Sequence, residues 1–271
     1  VSGASAFATV LDFRQLDRLA TGTSPLHRID ARAKVLVTLA YVVCVMSWGR
    51  YALGSLLPFA VFPLVTLLVG RVPLGFLARK LLLVLPIAVV IGLPNPFFDR
   101  AVVTVPGGYA MAGGWLSMFS IVVRTLLAAS AAFGLVAVTG FPAVCDALER
   151  LGMPRRLAVQ LLFVYRYLSV LGAETARTVS AREQRGAGRP LSVSVYGSLA
   201  GGLLLRTWDR AERVYLAMCA RGYRGEVPAA ALSRFGWPDL AYVIGWCGLF
   251  LLLRWPGVVD VVARLAPAVL R

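Results

Sequence analysis

The chain has 271 residues, 59% of them hydrophobic, and a formal charge of +15, with a mean hydropathy of +0.76. Ordinary soluble domains are about 45–50% apolar and about 25% charged, whereas 15% of this sequence is charged. Disorder is excluded, because burial of so much apolar sequence offsets the ordering entropy, and a wholly soluble monomer would expose large apolar patches. The 28 basic residues face 13 acidic ones, and nearly all of the basic ones are arginine. A multi-pass membrane protein with positive charge held in its cytoplasmic parts accounts for both numbers.

The first residues include Asp12, Arg14, Asp17 and Arg18 with no apolar run behind them, so no cleaved signal peptide is expected there. Five stretches are then apolar enough to span. The first two are 33–48 and, after a turn at Gly49-Arg50, 51–69. The third, 81–98, is broken near its end by Pro94 and Pro96. The fourth, 115–138, is the longest and cleanest; the fifth is 240–255, with Trp246 and Trp255 as interface anchors. Several sit near the lower limit for a bilayer core of about 30 Å, which implies tilt or local thinning. The stretch 258–270 is too short to span and carries Asp260 and Arg264, so an interfacial helix or a ragged end is expected.

Charge sets the orientation. With the N-terminus in the cytoplasm, the inside segments hold Arg14, Arg18, Arg28 and Arg32, then Arg71, Arg79 and Lys80, then fourteen arginines from Arg150 to Arg234. The outside keeps Arg50, Arg100, Arg254, Arg264 and Arg271. Every short loop obeys the positive-inside rule. The organisation expected is an all-α integral membrane protein with about five transmembrane helices. Residues 1–32 form a cytoplasmic N-terminal segment and 33–139 carry helices one to four. A cytoplasmic helical segment, 140–238, is inserted before the last span and tail, 239–271.

That insertion reads as helical throughout. A short helix begins at Phe141-Pro142 and ends at Leu151-Gly152; Pro154 then suits the first turn of the next. This second helix runs to about Val170 with Arg166 interrupting its apolar run, so residues 154–171 are candidates for partial insertion. The pattern turns polar from Glu174 to Gln184 and stops at Gly186. After Pro190 comes a small-residue helix with Ser192, Ser194, Gly197, Ser198, Gly201 and Gly202, suited to close backbone approach. The helix 203–221 then has one apolar stripe, Leu205, Trp208, Ala211, Tyr215 and Met218, at helical spacing.

Two helix ends in this segment share a pattern. Gln184-Arg185-Gly186 and Ala220-Arg221-Gly222 lie 36 residues apart, each closing a helix with Arg-Gly. Glycine is the favoured residue just past a helix C-terminus, and arginine suits the negative end of the dipole. A functional account stands beside that structural one: a single asymmetric chain engaging a two-fold dimer needs two similar docking devices. Arginine offers a planar fork for carboxylates and carbonyls.

The run Trp208-Asp209-Arg210-Ala211-Glu212-Arg213-Val214-Tyr215, followed by Ala217-Met218-Cys219-Ala220-Arg221-Gly222-Tyr223, resembles the T component of energy-coupling-factor transporters. The segment from Ser24 to Lys34 resembles that family's approach to its first span, and the cobalt-type, CbiQ-like branch is the most similar. The resemblance covers nearly the whole chain. It implies a bacterial inner-membrane protein whose two x-Arg-Gly motifs, at Gln184, Arg185 and Gly186 and at Ala220, Arg221 and Gly222, dock on a pair of ATP-binding-cassette ATPases. The first motif departs from the common Ala-Arg-Gly by having Gln184, and Arg182 could share its role. The resemblance further implies a membrane-embedded substrate-binding S component for cobalt or nickel, and a small accessory membrane subunit. ATP and magnesium would sit on the ATPases and cobalt or nickel on the partner, with no cofactor in this chain.

The residues agree with a non-catalytic role. No G-x-x-x-x-G-K-[ST] loop occurs, and the only lysines are Lys34 and Lys80, so ATP hydrolysis is expected on other subunits. His27 is the single histidine, and Cys44, Cys145, Cys219 and Cys247 are scattered; metal ligands come in clusters, so His27 reads as a structural residue and no metal site is expected. Arg124 lies inside the fourth span. It is either a supporting functional residue, the default for an intramembrane charge, or one that pairs or snorkels. A nucleic-acid partner is excluded, since the basic residues follow membrane sidedness rather than forming a patch with stacking aromatics. The alternative class, a membrane enzyme acting on a lipid or isoprenoid, would need paired acids or a histidine-centred motif, and no D-D-x-x-D or H-x(4)-D pattern is present.

Overall fold

The computed structural model describes residues 19–22, 24–99, 102–104, 110–186, 192–223 and 235–254. The chain divides into two units: one comprises Asp17–Ala147 with Ser233–Arg271, the other includes Leu148–Leu232. Its described secondary structure is helical apart from one two-stranded hairpin.

In the first unit, helix α1 (Ala31–Met46) starts where the Asp30 side chain accepts the Arg32 amide at 2.8 Å, a standard N-cap arrangement. A 3-10 stretch, Gly54–Ala60, leads into α2 (Val61–Val69). Helix α3 (Leu74–Gly92) follows Pro73, and a one-turn helix, Asn95–Phe98, closes the broken end. Helix α4 (Gly113–Thr139) is the longest of this unit, and α8 (Trp237–Arg254) returns the chain to it. Among the described residues, three helical stretches are long and apolar enough to cross a membrane: Leu74–Phe97, Gly113–Thr139 and, in the other unit, Arg155–Arg185. The 16 residues of α1 extend about 24 Å at 1.5 Å per residue.

Within this unit the structure departs from the expected boundaries at α3 and at the connection that follows it. Helix α3 begins at Leu74 rather than at residue 81, so Arg79 and Lys80 lie on the helix and not in a loop. Long basic side chains tolerate this because their stems pack while their heads reach outward; Lys80 Nζ sits 5.5 Å from the Phe76 ring centre. The second departure is the hairpin between the third and fourth spans, Val102–Thr104 paired antiparallel with Ala110–Ala112 in the register Val102 to Ala112.

The core of this unit joins α1, the 3-10 stretch, α2, α4 and α8. Val37, Tyr41, Val45, Leu56, Phe59, Phe62, Ala131 and Phe250 form it, all essentially inaccessible. Tyr41 sits at its centre, 4.7 Å from the ring of Phe62 and 5.5 Å from that of Phe250. Trp246 packs edge-on against Phe62 at 4.9 Å. In lipid, helices gain little from hydrophobicity itself, and association rests on such packing and on satisfied polar groups. One of those groups is created by a proline. Pro63 has no amide to give the Phe59 carbonyl four residues back, and the Tyr41 hydroxyl donates to that carbonyl at 3.0 Å.

In the second unit, the end of α5 (Phe141–Arg150) is followed by α6 (Arg155–Arg185) and α7 (Val193–Ala220). Each of the last two is one continuous helix. The apolar and polar halves of α6 are joined, and α7 runs through Gly201-Gly202 without a break.

Candidate functional site: two arginine-tipped helix ends

Helix α6 ends at Arg185 and α7 at Ala220, so both Arg-Gly motifs occupy helix C-termini of the same unit. Arg182, Gln184, Arg185, Ala220, Arg221 and Gly222 are all exposed, and Gly186 is half-exposed. The arginine heads are therefore displayed beside the carbonyl-rich, negative ends of two long helices.

The two ends close differently. After α7, the Gly222 amide donates to Cys219 at 3.0 Å and the Tyr223 amide to Met218 at 3.0 Å, with Gly222 at φ +82°. This is a Schellman closure, and the left-handed position needs glycine. The same closure follows α5, where Gly152 (φ +113°) donates to Glu149 and Met153 to Leu148. After α6, in contrast, Gly186 has φ −82° and its amide makes a helical bond to Arg182 at 2.9 Å. The shared Arg-Gly pattern thus does not reflect one shared cap. Backbone conformation accounts for Gly222 and leaves Gly186 without that reason.

Away from the tips, α6 and α7 meet at Glu174. Its Oε1 lies 3.6 Å from Arg206 Nη1 and its Oε2 lies 3.7 Å from Arg210 Nη2. A cavity of about 300 Å³ beside them is lined by Val170, Glu174, Arg177, Thr178 and Arg210. Neither Glu174 nor the two arginines stood out in the sequence. Glu174 marks the change from apolar to polar pattern, but spacing along one helix does not show which residue of another it meets. The stripe expected on α7 is present but largely unpartnered: Leu205, Trp208 and Tyr215 are 69%, 72% and 59% exposed.

Arg124 belongs to the other unit. It donates to the Gly49 carbonyl in the connection after α1, so it fastens α4 to that turn. His27 has both ring nitrogens engaged: Nε2 donates to the Leu19 carbonyl at 3.0 Å and Nδ1 accepts from the Ser24 hydroxyl at 2.6 Å. That is the structural role its sequence context implies. Burial raises the Cys145 thiol above its usual pKa, as befits a small apolar residue rather than a nucleophile. Among the described residues, no three His, Cys, Asp or Glu side chains gather as a metal site.

The profile of the family described as CbiQ, cobalt transport protein, matches residues 22–230. The chain belongs to the CbiQ family. Relatives of this CbiQ-family chain extend over most of its length. It is 28% identical to the energy-coupling factor transporter transmembrane protein EcfT of Listeria innocua serovar 6a, covering 89% of this chain and 97% of the relative. The EcfT protein of Bacillus subtilis strain 168 is 27% identical over 90% of this chain and 98% of its own length. That of Brevibacillus brevis is 25% identical over 83% and 94%. The resemblance to T components is therefore met, and this CbiQ-family chain is a non-catalytic membrane component of a transporter.

Proposed function

We propose that this chain is the coupling scaffold of an ATP-driven importer, in which α6 and α7 present Arg185 and Arg221 to a dimer of ATP-binding-cassette ATPases. The observation that carries this reading is the placement of both arginines, exposed, at the ends of two long helices of one unit. Guanidinium forks at such positions suit carboxylate and carbonyl acceptors in a groove. Gln184, Gly186, Ala220 and Gly222 shape the two tips, and Arg182 lies one turn behind the first. ATPase closure would move the tips together or apart.

The motion is passed to a membrane-embedded substrate-binding subunit, for cobalt or nickel, with a small accessory membrane subunit beside it. The exposed Leu205, Trp208 and Tyr215 supply an apolar surface suited to such a partner. Five spans with the N-terminus in the cytoplasm fit the charge distribution, and Arg124 supports the scaffold by holding α4 to the first turn.

The test is co-purification with the ATPase pair, together with cobalt and nickel uptake in cells carrying all the subunits. Arg221→Glu and Arg185→Glu each weaken retention of the ATPases, and the double variant loses both the complex and uptake. A double variant that keeps both overturns the docking role.

A further inference from the structure

Helices α6 and α7 touch over a short stretch, and Glu174 lies within it. Its two oxygens serve different partners, Arg206 at 3.6 Å and Arg210 at 3.7 Å. Those arginines are four residues apart, one helical turn along the same face of α7. A carboxylate straddled in this way senses axial position. Sliding α7 by one turn, about 5.4 Å, would leave one of the two arginines without its counter-charge.

Both separations exceed hydrogen-bond length, so neither pair is rigidly locked. Arg206 is steadied from its own helix, where Nε donates to the Gly202 carbonyl at 3.1 Å. On the α6 side, Arg177 Nε donates to the Ala173 carbonyl at 3.2 Å. The adjacent cavity of about 300 Å³ gives the Arg210 guanidinium room to swing. As isolated surface pairs these contacts would add little stability; their effect is positional.

We propose that Glu174 is a positioning residue, a joint that fixes the axial register of α7 against α6 while letting the angle between them change. Its meaning for transport rests on the coupling reading above, because these are the helices that end in Arg185 and Arg221. Register sets the relative height of the two tips, and a variable angle lets them separate.

The experiment uses the full chain in lipid nanodiscs. One spin label is placed on the exposed Cys219 and one on Ser180→Cys, with Cys44, Cys145 and Cys247 replaced by Ala. The parent gives a narrow distance distribution. Glu174→Gln, and separately Arg206→Gln with Arg210→Gln, broaden it and add a population displaced by about one turn, roughly 5 Å. Glu174→Asp, which keeps the carboxylate, holds the narrow distribution, and so does Glu183→Gln on the same helix. In the assembled complex, Glu174→Gln raises the ATP hydrolysed per ion taken up several-fold while the ATPases still co-purify. Unchanged distances in both glutamine variants overturn the joint. If the distances respond but Arg221→Glu and Arg185→Glu leave the complex intact, the joint stands and the coupling reading falls.

Discussion

The Asp239 carboxylate accepts the backbone amide of Asp30 at 2.7 Å, across a sequence separation of 209 residues. Its other oxygen accepts the Gly236 amide at 2.8 Å, and the residue is only 6% exposed. One side chain thus caps the start of α8 and fastens it to the start of α1. Asp30 in turn caps α1 through the Arg32 amide, so α1 and α8 begin from one shared cluster of buried groups.

Asp239→Ala leaves two amides without their acceptor, at about 1–3 kcal/mol each. The variant is expected to lose roughly 2–6 kcal/mol, read as a lower unfolding midpoint in detergent. Asp239→Asn, which keeps one carbonyl acceptor, falls between it and the parent.

Tyr41→Phe removes one oxygen and keeps the ring packing. It removes the hydroxyl donor from the Phe59 carbonyl, which Pro63 cannot serve and which then keeps only the Val61 amide. A loss of about 0.5–1.5 kcal/mol follows. Restoring the missing amide with Pro63→Ala in the Tyr41→Phe background recovers part of it, which a double-mutant cycle in thermal unfolding measures.

The α2 C-terminus has the same closure as α7, with an arginine in the strained place. Arg71 has φ +53°, and Val72 donates to Leu67 at 3.0 Å. Gly70 precedes it, where an added Cβ would fall 2.5 Å from Val138 Cγ2 and 2.6 Å from the Thr66 carbonyl oxygen. Arg71→Gly is expected to stabilise by about 1 kcal/mol through relief of the left-handed strain. Gly70→Ala costs about 1–3 kcal/mol through overpacking. Opposite shifts in melting temperature at adjacent positions check the pair.

The two motif glycines separate in the same manner. Gly222→Ala strains a residue at φ +82° and is expected to cost about 1 kcal/mol, loosening the α7 end. Gly186→Ala, at φ −82°, leaves the end of α6 in place. Hydrogen exchange of the amides from Cys219 to Tyr223 reports the first effect, and exchange at Arg185 and Gly186 reports the absence of the second.

Much of this architecture is legible in the sequence because it rests on local signals. The α6 and α7 ends fall at Arg185 and Ala220, where Gly186 and Gly222 announce them, and Pro94 and Pro96 break the third span where expected. Where charge and hydropathy compete, the reading slips: Arg79 and Lys80 look like a loop, yet the helix tolerates them. Gly201-Gly202 suggests a break, yet α7 runs through both as one helix. The hairpin carries a weak signal, a β-branched run ending before Pro106-Gly107-Gly108. The pairings of Asp30 with Asp239 and of Glu174 with two arginines have no local signature at all. They depend on which helices meet, and that is a property of the fold.

The dependence of α1 on α8 also has a consequence for biosynthesis. Until Asp239 and Phe250 have left the ribosome, the Asp30 amide lacks its acceptor and the Tyr41 pocket lacks one wall. At about 5–20 residues per second, the 209 residues between the two aspartates take roughly 10–40 s to synthesise. By the end of that interval α6 and α7 are already made, while the core around Tyr41 is still unfinished. The core that joins α1 to α8 thus closes only after α6 and α7 are made, and a nascent chain halted before residue 239 would hold α1 without its anchor.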